Sequence, residues 1–273
     1  MKIMHLLPSL SSGGVEQVVL ELCQGLCARG EDCIVVSAGG SMVPLIEQAG
    51  ARHITRPIGR KSLNTLFQIR PLRRLLREEK PDILHLHSRV PAWVGYLAWR
   101  GMELGERPGL VTTFHGFHSV NAYSAVMAKG ERVIAVSRCM KEHILRHYPK
   151  TPAERIAVIP NSVDTEQNYP GYRPSEEWMR RWREQYPELE GQYTLCLPGR
   201  ITRIKGALHL VPILRELRSR GIPAHAVIVG ETKKGKEAFR REAEEAFASA
   251  GLSKAVTSTC PRRDQRAGPC ARD

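Results

Sequence analysis

A chain of 273 residues that is 42% hydrophobic and 6% aromatic has ordinary globular composition and room for one large or two small domains, which excludes disorder as the default. Its formal net charge of +13 favours anionic partners such as nucleotide diphosphates, nucleic acid or an acidic membrane surface, although a plain basic surface gives the same balance. No run approaches the ~18 to 20 apolar residues of a membrane span. Seven cysteines, an odd number without paired spacing, fit reduced thiols in a cytosolic protein.

The first eight residues are too short for the apolar region of a signal peptide and lack a small-residue cleavage site, so residues 2–7 read as a strand. Val15, Val18, Val19, Leu22 and Leu26 then form a helical stripe ending at Gly30. Cys23 and Cys27 lie one turn apart on that helix with no matching His or Cys pair nearby, and read as helix packing rather than a metal site. Further strands are expected over 33–37, 52–58, 82–87, 110–114, 132–136 and 155–159. Helices are expected over 42–48, 63–79 with an interruption at Pro71, 92–102, 120–129 and 138–147. This alternation is the pattern of a parallel sheet with covering helices, a doubly wound domain over residues 1–164.

From 165 to 191 the text turns polar, with Pro170, Pro174 and Pro187, and reads as a linker carrying a charged helix over 176–185. A second α/β unit over 192–253 opens with a strand at Tyr193, followed by a basic loop, a helix to about Leu217, a strand over 224–229 and a charged helix over 236–248. Residues 254–273 hold no apolar strand and read as an aberrant basic tail. A truncated or frameshifted reading frame is the expectation there, and a natural disordered tail is the alternative.

Four places carry chemistry. In Leu197-Pro198-Gly199-Arg200-Ile201-Thr202-Arg203-Ile204-Lys205-Gly206, cations and glycines stand between a strand and a helix, where free N–H groups favour an anion. The fork of Arg200 and the point charge of Lys205 suit a diphosphate, and a solvated basic loop has the same composition. Ser11-Ser12-Gly13-Gly14-Val15 lets backbone approach an anionic or sugar group at the start of the first helix, or is a plain turn. It is no dinucleotide fingerprint, because the Gly-x-Gly-x-x-Gly spacing is absent and the second strand ends without an acidic residue. His115 ends a strand on the cleft side of such a sheet, where a lone histidine is more often a hydrogen-bonded structural residue than a catalytic one. His85 and His87 share one face of another strand, where core or hydrogen-bonding roles are favoured and His87 is the cleft candidate, and two histidines without a third ligand make no metal case. Pro160-Asn161-Ser162-Val163-Asp164 closes the first domain as a turn. Arg70, Arg73, Arg74, Arg77 and Lys80 form a basic stripe for anionic lipid or for solvent. Aromatics do not interleave the basic runs, so no nucleic acid partner is expected.

A strand ending in Gly199-Arg200, followed by Lys205-Gly206 opening a helix, resembles the donor-diphosphate loop of family 4 glycosyltransferases. Gly13-Gly14, His115, the Pro160-Asn161-Ser162-Val163-Asp164 segment with Ser162 where the family has Gly, and Arg200 with Lys205 occur in the family's order over about residues 1–250. The resemblance implies an α/β fold of GT-B type, with a complete N-terminal doubly wound (Rossmann-like) domain on the acceptor side and an incomplete second Rossmann-like domain for the donor. It implies retaining transfer of a sugar from a nucleotide diphosphate sugar to a glycan or lipid-linked acceptor, in bacterial-type cell-envelope polysaccharide or lipopolysaccharide synthesis. Arg200 and Lys205 would hold the donor diphosphate, Gly13 and Gly14 would border the cleft, His115 would be catalytic and Asn161 would mark the hinge. No metal and no cofactor beyond the sugar nucleotide substrate are expected. The expected location is the cytoplasm, with peripheral contact at the anionic inner face of the cytoplasmic membrane as a further expectation.

One departure matters. The family's Glu-x7-Glu signature, whose carboxylates contact the donor sugar and the nucleotide ribose, is absent from these residues, and Glu242, Glu244 and Glu245 on a charged helix do not replace it. Two alternatives therefore stand beside the enzyme: a non-catalytic truncated remnant, and a sugar-nucleotide epimerase of the same fold.

Overall fold

The structure, a computed structural model, describes residues 1–11, 13–163, 165, 169–230, 232 and 237–259. The chain divides into two compact units, Met1–Pro170 and Gly171–Asp273.

The first unit is built on seven strands: β1 Lys2–Leu6, β2 Asp32–Ser37, β3 Arg52–Thr55, β4 Ile83–Leu86, β5 Gly109–Phe114, β6 Arg132–Ala135 and β7 Ile156–Val158. All pairings are parallel, in the order β3-β2-β1-β4-β5-β6-β7. The order reverses between β1 and β4, the switch point outside which open α/β sheets bind ligands. Helices α1 Gly14–Cys27, α2 Val43–Gln48, α3 Leu63–Phe67, α4 Ile69–Glu79, α5 Arg89–Arg100 and α6 Arg138–His147 cover the sheet. Alternate residues of each strand serve different cores, as the two-residue period requires. Met4, Leu6, Leu84 and Leu86 join α4 and α5 in one cluster, whereas Cys33 and Val35 join Val19 and Cys23 of α1 and Ile46 of α2 in another.

Three element expectations are corrected. The break in the stretch over 63–79 falls at Gln68, and Pro71 sits in the first turn of α4, where its missing N–H has no helical acceptor to lose. The helix expected over 120–129 is a short 3-10 turn, Ser124–Ala128, set by the Asn121 side chain accepting from Ser124 N at 2.9 Å. The third strand stops at Thr55, two residues before Pro57, which has no N–H for a ladder.

The chain leaving β1 is held by its neighbours. Leu10 N donates to Gly39 O at 2.8 Å, Met42 N to Leu10 O at 2.7 Å and Ala38 N to Pro8 O at 3.1 Å. Gly40, at φ 146°, lies so close to the Leu10 backbone that a side chain there would collide with it. The approach to the Gly13-Gly14 turn is thereby fixed.

The second unit contains α7 Glu176–Gln185, β8 Tyr193–Pro198, α8 Leu210–Ser219, β9 Ala224–Val229, α9 Glu237–Ser249 and β10 Val256–Thr259, with a parallel sheet ordered β10-β9-β8. Ile201, Leu210, Leu214, Ala226, Ile228 and Phe247 form its core. Two further expectations change here. Residues 256–259, read as part of a structureless tail, pair with β9 over Val256↔Ala226 to Thr259↔Val229, because ladder bonds to a buried strand stabilise a segment too polar to announce itself. The segment after Gly171, read as a linker, belongs to this unit: Tyr186 Oη lies 2.7 Å from Thr259 Oγ1, and Thr257 Oγ1 donates to Glu188 at 2.8 Å. Residues 260–273 of the expected tail lie outside the described residues.

Candidate functional site

The parallel register places His5 of β1 beside His85 of β4, and His85 beside Val111 of β5. Since side chains alternate, His5, His85, His87, Thr113 and His115 lie along one face of three adjacent strands and their ends, at the switch point. His5 Nδ1 is 3.0 Å from His87 Nε2, and His87 Nδ1 is 3.0 Å from His115 Nε2. His85 Nε2 is 2.7 Å from Thr113 Oγ1. The row runs from the sheet interior, where His5 is 1% exposed, to half-buried His115 just past the end of β5.

Burial disfavours the imidazolium and holds His85 and His87 well below the ordinary histidine range, helped by neighbouring rings. His115 is lowered to about 4, first by burial and then by His118. It is therefore neutral at pH 7, a hydrogen-bonding group rather than a cationic acid. The sequence reading singled out His85, His87 and His115 and missed His5 and Thr113. Their signal was available in the two-residue period once β1, β4 and β5 are adjacent.

Gly13 caps α1 in extended backbone at φ 175° and Gly14 begins it; both are exposed. The Glu16 carboxylate folds back against Gly13, and a Cβ at Gly14 would meet nothing within 4 Å. Neither glycine is demanded by the protein's own packing. Asn161 lies in exposed coil after β7, and Asp164 of the same turn lies outside the described residues.

In the second unit, Gly199 at φ 134° turns the chain out of β8, and the Lys205 stem lies across it, 3.4 Å from where a Cβ would stand. The helix expected directly after Lys205-Gly206 is preceded by two 3-10 turns, Arg203–Lys205 and Ala207–His209, and α8 begins at Leu210. Gly206 between the turns takes φ 80°, a conformation that strains other residues. Ile201 and Ala207 anchor the loop in the core while Arg200, Arg203 and Lys205 point to solvent. The three cations are sorted by their partners. Arg203 donates to both oxygens of Glu242 at 2.7 Å and covers the Phe239 ring, whereas among the described residues Arg200 and Lys205 have no ion pair.

The basic stripe is partly consumed internally: Arg73 donates to Ala98 O at the end of α5, Arg74 pairs with Glu78 and Arg77 with Glu106. Glu244 pairs with Arg240 on α9.

Cys23 and Cys27, for which the sequence shows no matching His or Cys pair nearby, gain neighbours in the fold. Cys33 of β2 lies near both, and one ligand atom each from His5, Cys23 and Cys33 lie within 4.8 Å of one another. His5, His85 and His87 form a second such group, supplying the third histidine that the sequence did not show.

A seven-stranded doubly wound unit followed by a second parallel α/β unit with a basic turn after its first strand defines a protein of the GT-B class. Residues 12–167 match Glycosyltransferase Family 4, and the chain belongs to that family. It is 32% identical over 134 residues to alpha-maltose-1-phosphate synthase of Mycolicibacterium smegmatis, a match covering 48% of this chain and only 30% of that protein's length. The fold is similar to that of a glycosyltransferase from Rickettsia africae, with a TM-score of 0.78 and 27% identity over 96% of this chain and 69% of that one. It is also similar to Anabaena Alr3699/HepE in complex with UDP-glucose, at TM-score 0.75 and 20% identity, covering 97% and 70% of the two chains. Among the described residues no helix is long and apolar enough to cross a membrane.

Proposed function

We propose that this chain acts in sugar transfer from a nucleotide diphosphate sugar, with Arg200 and Lys205 holding the diphosphate. The observation that carries this reading is the sorting of charge in the second unit's loop, where Arg203 is satisfied by Glu242 while Arg200 and Lys205 stand exposed without ion pairs among the described residues. Unpaired cations fixed on a core-anchored turn are placed to meet an anion with little reorganisation. On a leaving diphosphate they would stabilise the charge that grows as the bond to the sugar breaks. The complex of Anabaena HepE with UDP-glucose supports this donor class.

In the first unit, the exposed Gly13-Gly14 turn would bring backbone N–H groups to the donor or sugar, displacing the Glu16 carboxylate from Gly13. His115, neutral and hydrogen-bonded to His87, would position the transferred sugar, with retention at the anomeric carbon. Asn161 would serve as a hinge marker on the stretch between β7 and the end of the first unit at Pro170. The acceptor would be a glycan or lipid-linked glycan of a cell envelope. Leu63 at 74%, Leu66 at 50% and Phe67 at 73% exposure stand beside exposed Arg60 and Arg70, a mixture that supports peripheral contact with an anionic membrane from the cytoplasmic side.

Calorimetric titration of the purified chain with a panel of nucleotide diphosphate sugars, UDP-glucose included, tests the reading. Saturable binding of one of them is the expected result. A folded chain that binds none would be the remnant, a glycosyltransferase by descent only.

A further inference from the structure

We propose that Cys23, Cys33 and His5 form a binding site for a thiophilic divalent cation of the zinc type inside the first unit, with Cys27 one helical turn from Cys23 at its edge. Cys23 and Cys27, four residues apart on α1, share one helix face, and Cys33 on β2 lies near both. The His5 ring lies beside the Cys33 thiol. The ligand atoms of His5, Cys23 and Cys33 lie within 4.8 Å of one another and all three residues are buried. Tetrahedral zinc with sulfur at about 2.3 Å and nitrogen at about 2.0 Å puts its ligand atoms roughly 3.5 to 3.8 Å apart, so closing the cluster needs shifts of about 1 Å. The donor set, thiolate sulfur with imidazole nitrogen, selects zinc-like ions over magnesium or calcium, which take oxygen.

A second observation comes from the imidazole rather than from the thiols. His5 is 1% exposed, and its Nε2 has no hydrogen-bond partner among the described residues. A buried polar atom left unpaired is costly, and a metal ion is one of the few partners that an apolar, thiol-lined position can supply. This also decides between the two clusters that contain His5. In the all-histidine group, His5 Nδ1 and His87 Nε2 face each other at 3.0 Å, and His85 Nε2 is occupied by Thr113, so those nitrogens already have partners.

The cation has a consequence for the histidine row. A metal on His5 Nε2 fixes the proton on Nδ1, which then donates to His87 Nε2, as the outer nitrogen of a metal-bound imidazole usually does. His87 must then carry its proton on Nδ1 and donate to His115 Nε2. His115 is left with its proton on Nδ1, as a donor at its free nitrogen. Occupancy of the cluster thus sets one tautomer along three rings and orients the residue at the strand end.

Cobalt(II), an optical stand-in for zinc, tests the site on the full chain after reduction and removal of reductant. The expected result is one equivalent bound, with a thiolate-to-cobalt charge-transfer band and the intense visible bands of a tetrahedral site, both abolished by one equivalent of zinc. Zinc should also raise the midpoint of thermal unfolding. A variant with Cys139, Cys196, Cys260 and Cys270 changed to Ser should keep the spectrum, whereas Cys23→Ala/Cys33→Ala should lose it while retaining native circular dichroism. Should the double variant fail to fold, the first two samples decide. A reduced, folded chain that gives no tetrahedral thiolate spectrum overturns the proposal. So does a spectrum that disappears with the four other cysteines, or one that survives loss of Cys23 and Cys33.

Discussion

At the scale of single residues, the useful distinctions are between neighbours of the same type. Arg200 and Arg203 are three positions apart, yet among the described residues only Arg203 has a carboxylate partner. The Arg203–Glu242 pair is solvent-exposed, so its loss costs no more than about 1 kcal/mol of stability. Arg200→Ala should leave the urea midpoint unchanged and weaken binding of a nucleotide diphosphate sugar at least tenfold, the loss expected for a charged hydrogen bond worth about 1.5 kcal/mol or more. Gly14 poses the same question. A Cβ there meets nothing within 4 Å among the described residues, so Gly14→Ala should keep stability within about 0.5 kcal/mol while reducing donor affinity by obstructing close backbone approach. A large stability loss with unchanged binding would make the glycine structural. The sequence made Arg200, Lys205 and His115 visible because charge and strand ends can be read locally. His5 and Cys33 were not visible, because their roles depend on which strands lie side by side: His5 meets His85 across 80 positions and Cys33 meets Cys23 across a helix-to-strand turn.

At the scale of elements, the loops that fix the first helix carry identifiable costs. Gly40 combines φ 146° with close approach to the Leu10 backbone, which cannot swing aside as a side chain would. Gly40→Ala should therefore destabilise the first unit by about 2 kcal/mol or more and disturb the Gly13-Gly14 turn, measurable by chemical denaturation. Ser137 caps α6 by accepting from Met140 N at 3.1 Å, and Ser137→Ala should cost about 1 kcal/mol without affecting donor binding. Strong apolar periodicity made most strands and long helices legible. The misses have physical reasons: Asn121 reset a helix start, Pro71 fell where a helix tolerates it, and β10 is held by ladder bonds to β9 rather than by its own hydrophobicity.

At the scale of the whole molecule, buried neutral histidines tie stability to pH. Burial is the main cause that lowers His53, His118 and His143 in the first unit and His225 in the second, and His115 falls to about 4. Well above pH 6.5 both folded and unfolded chains leave these rings neutral, and there they contribute no pH dependence. As pH falls below 6.5 the unfolded chain takes up protons that the folded chain refuses, so stability declines toward pH 4. Urea midpoints should therefore drop between pH 7 and pH 5, a window above the range where Glu79, held low by Arg52, begins to titrate. A flat midpoint over that window would show that the rings are more open to water than their burial implies. The family and the alternating fold were legible from an ordered set of short motifs. The donor loop's internal division of labour was not, since nothing local in the text assigns Glu242 to Arg203 across 39 positions.

The affinity of UDP-glucose for the wild-type chain, for Arg200→Ala/Lys205→Ala and for Arg203→Ala, measured side by side by calorimetry, tests the central claim most directly. Removing two charge-assisted hydrogen bonds to the diphosphate together predicts a decrease on the order of 100-fold in the double variant, and Arg203→Ala should stay within about threefold of wild type. Equal affinity in the wild type and the double variant, or a larger loss in Arg203→Ala, would contradict the assignment of the diphosphate to Arg200 and Lys205.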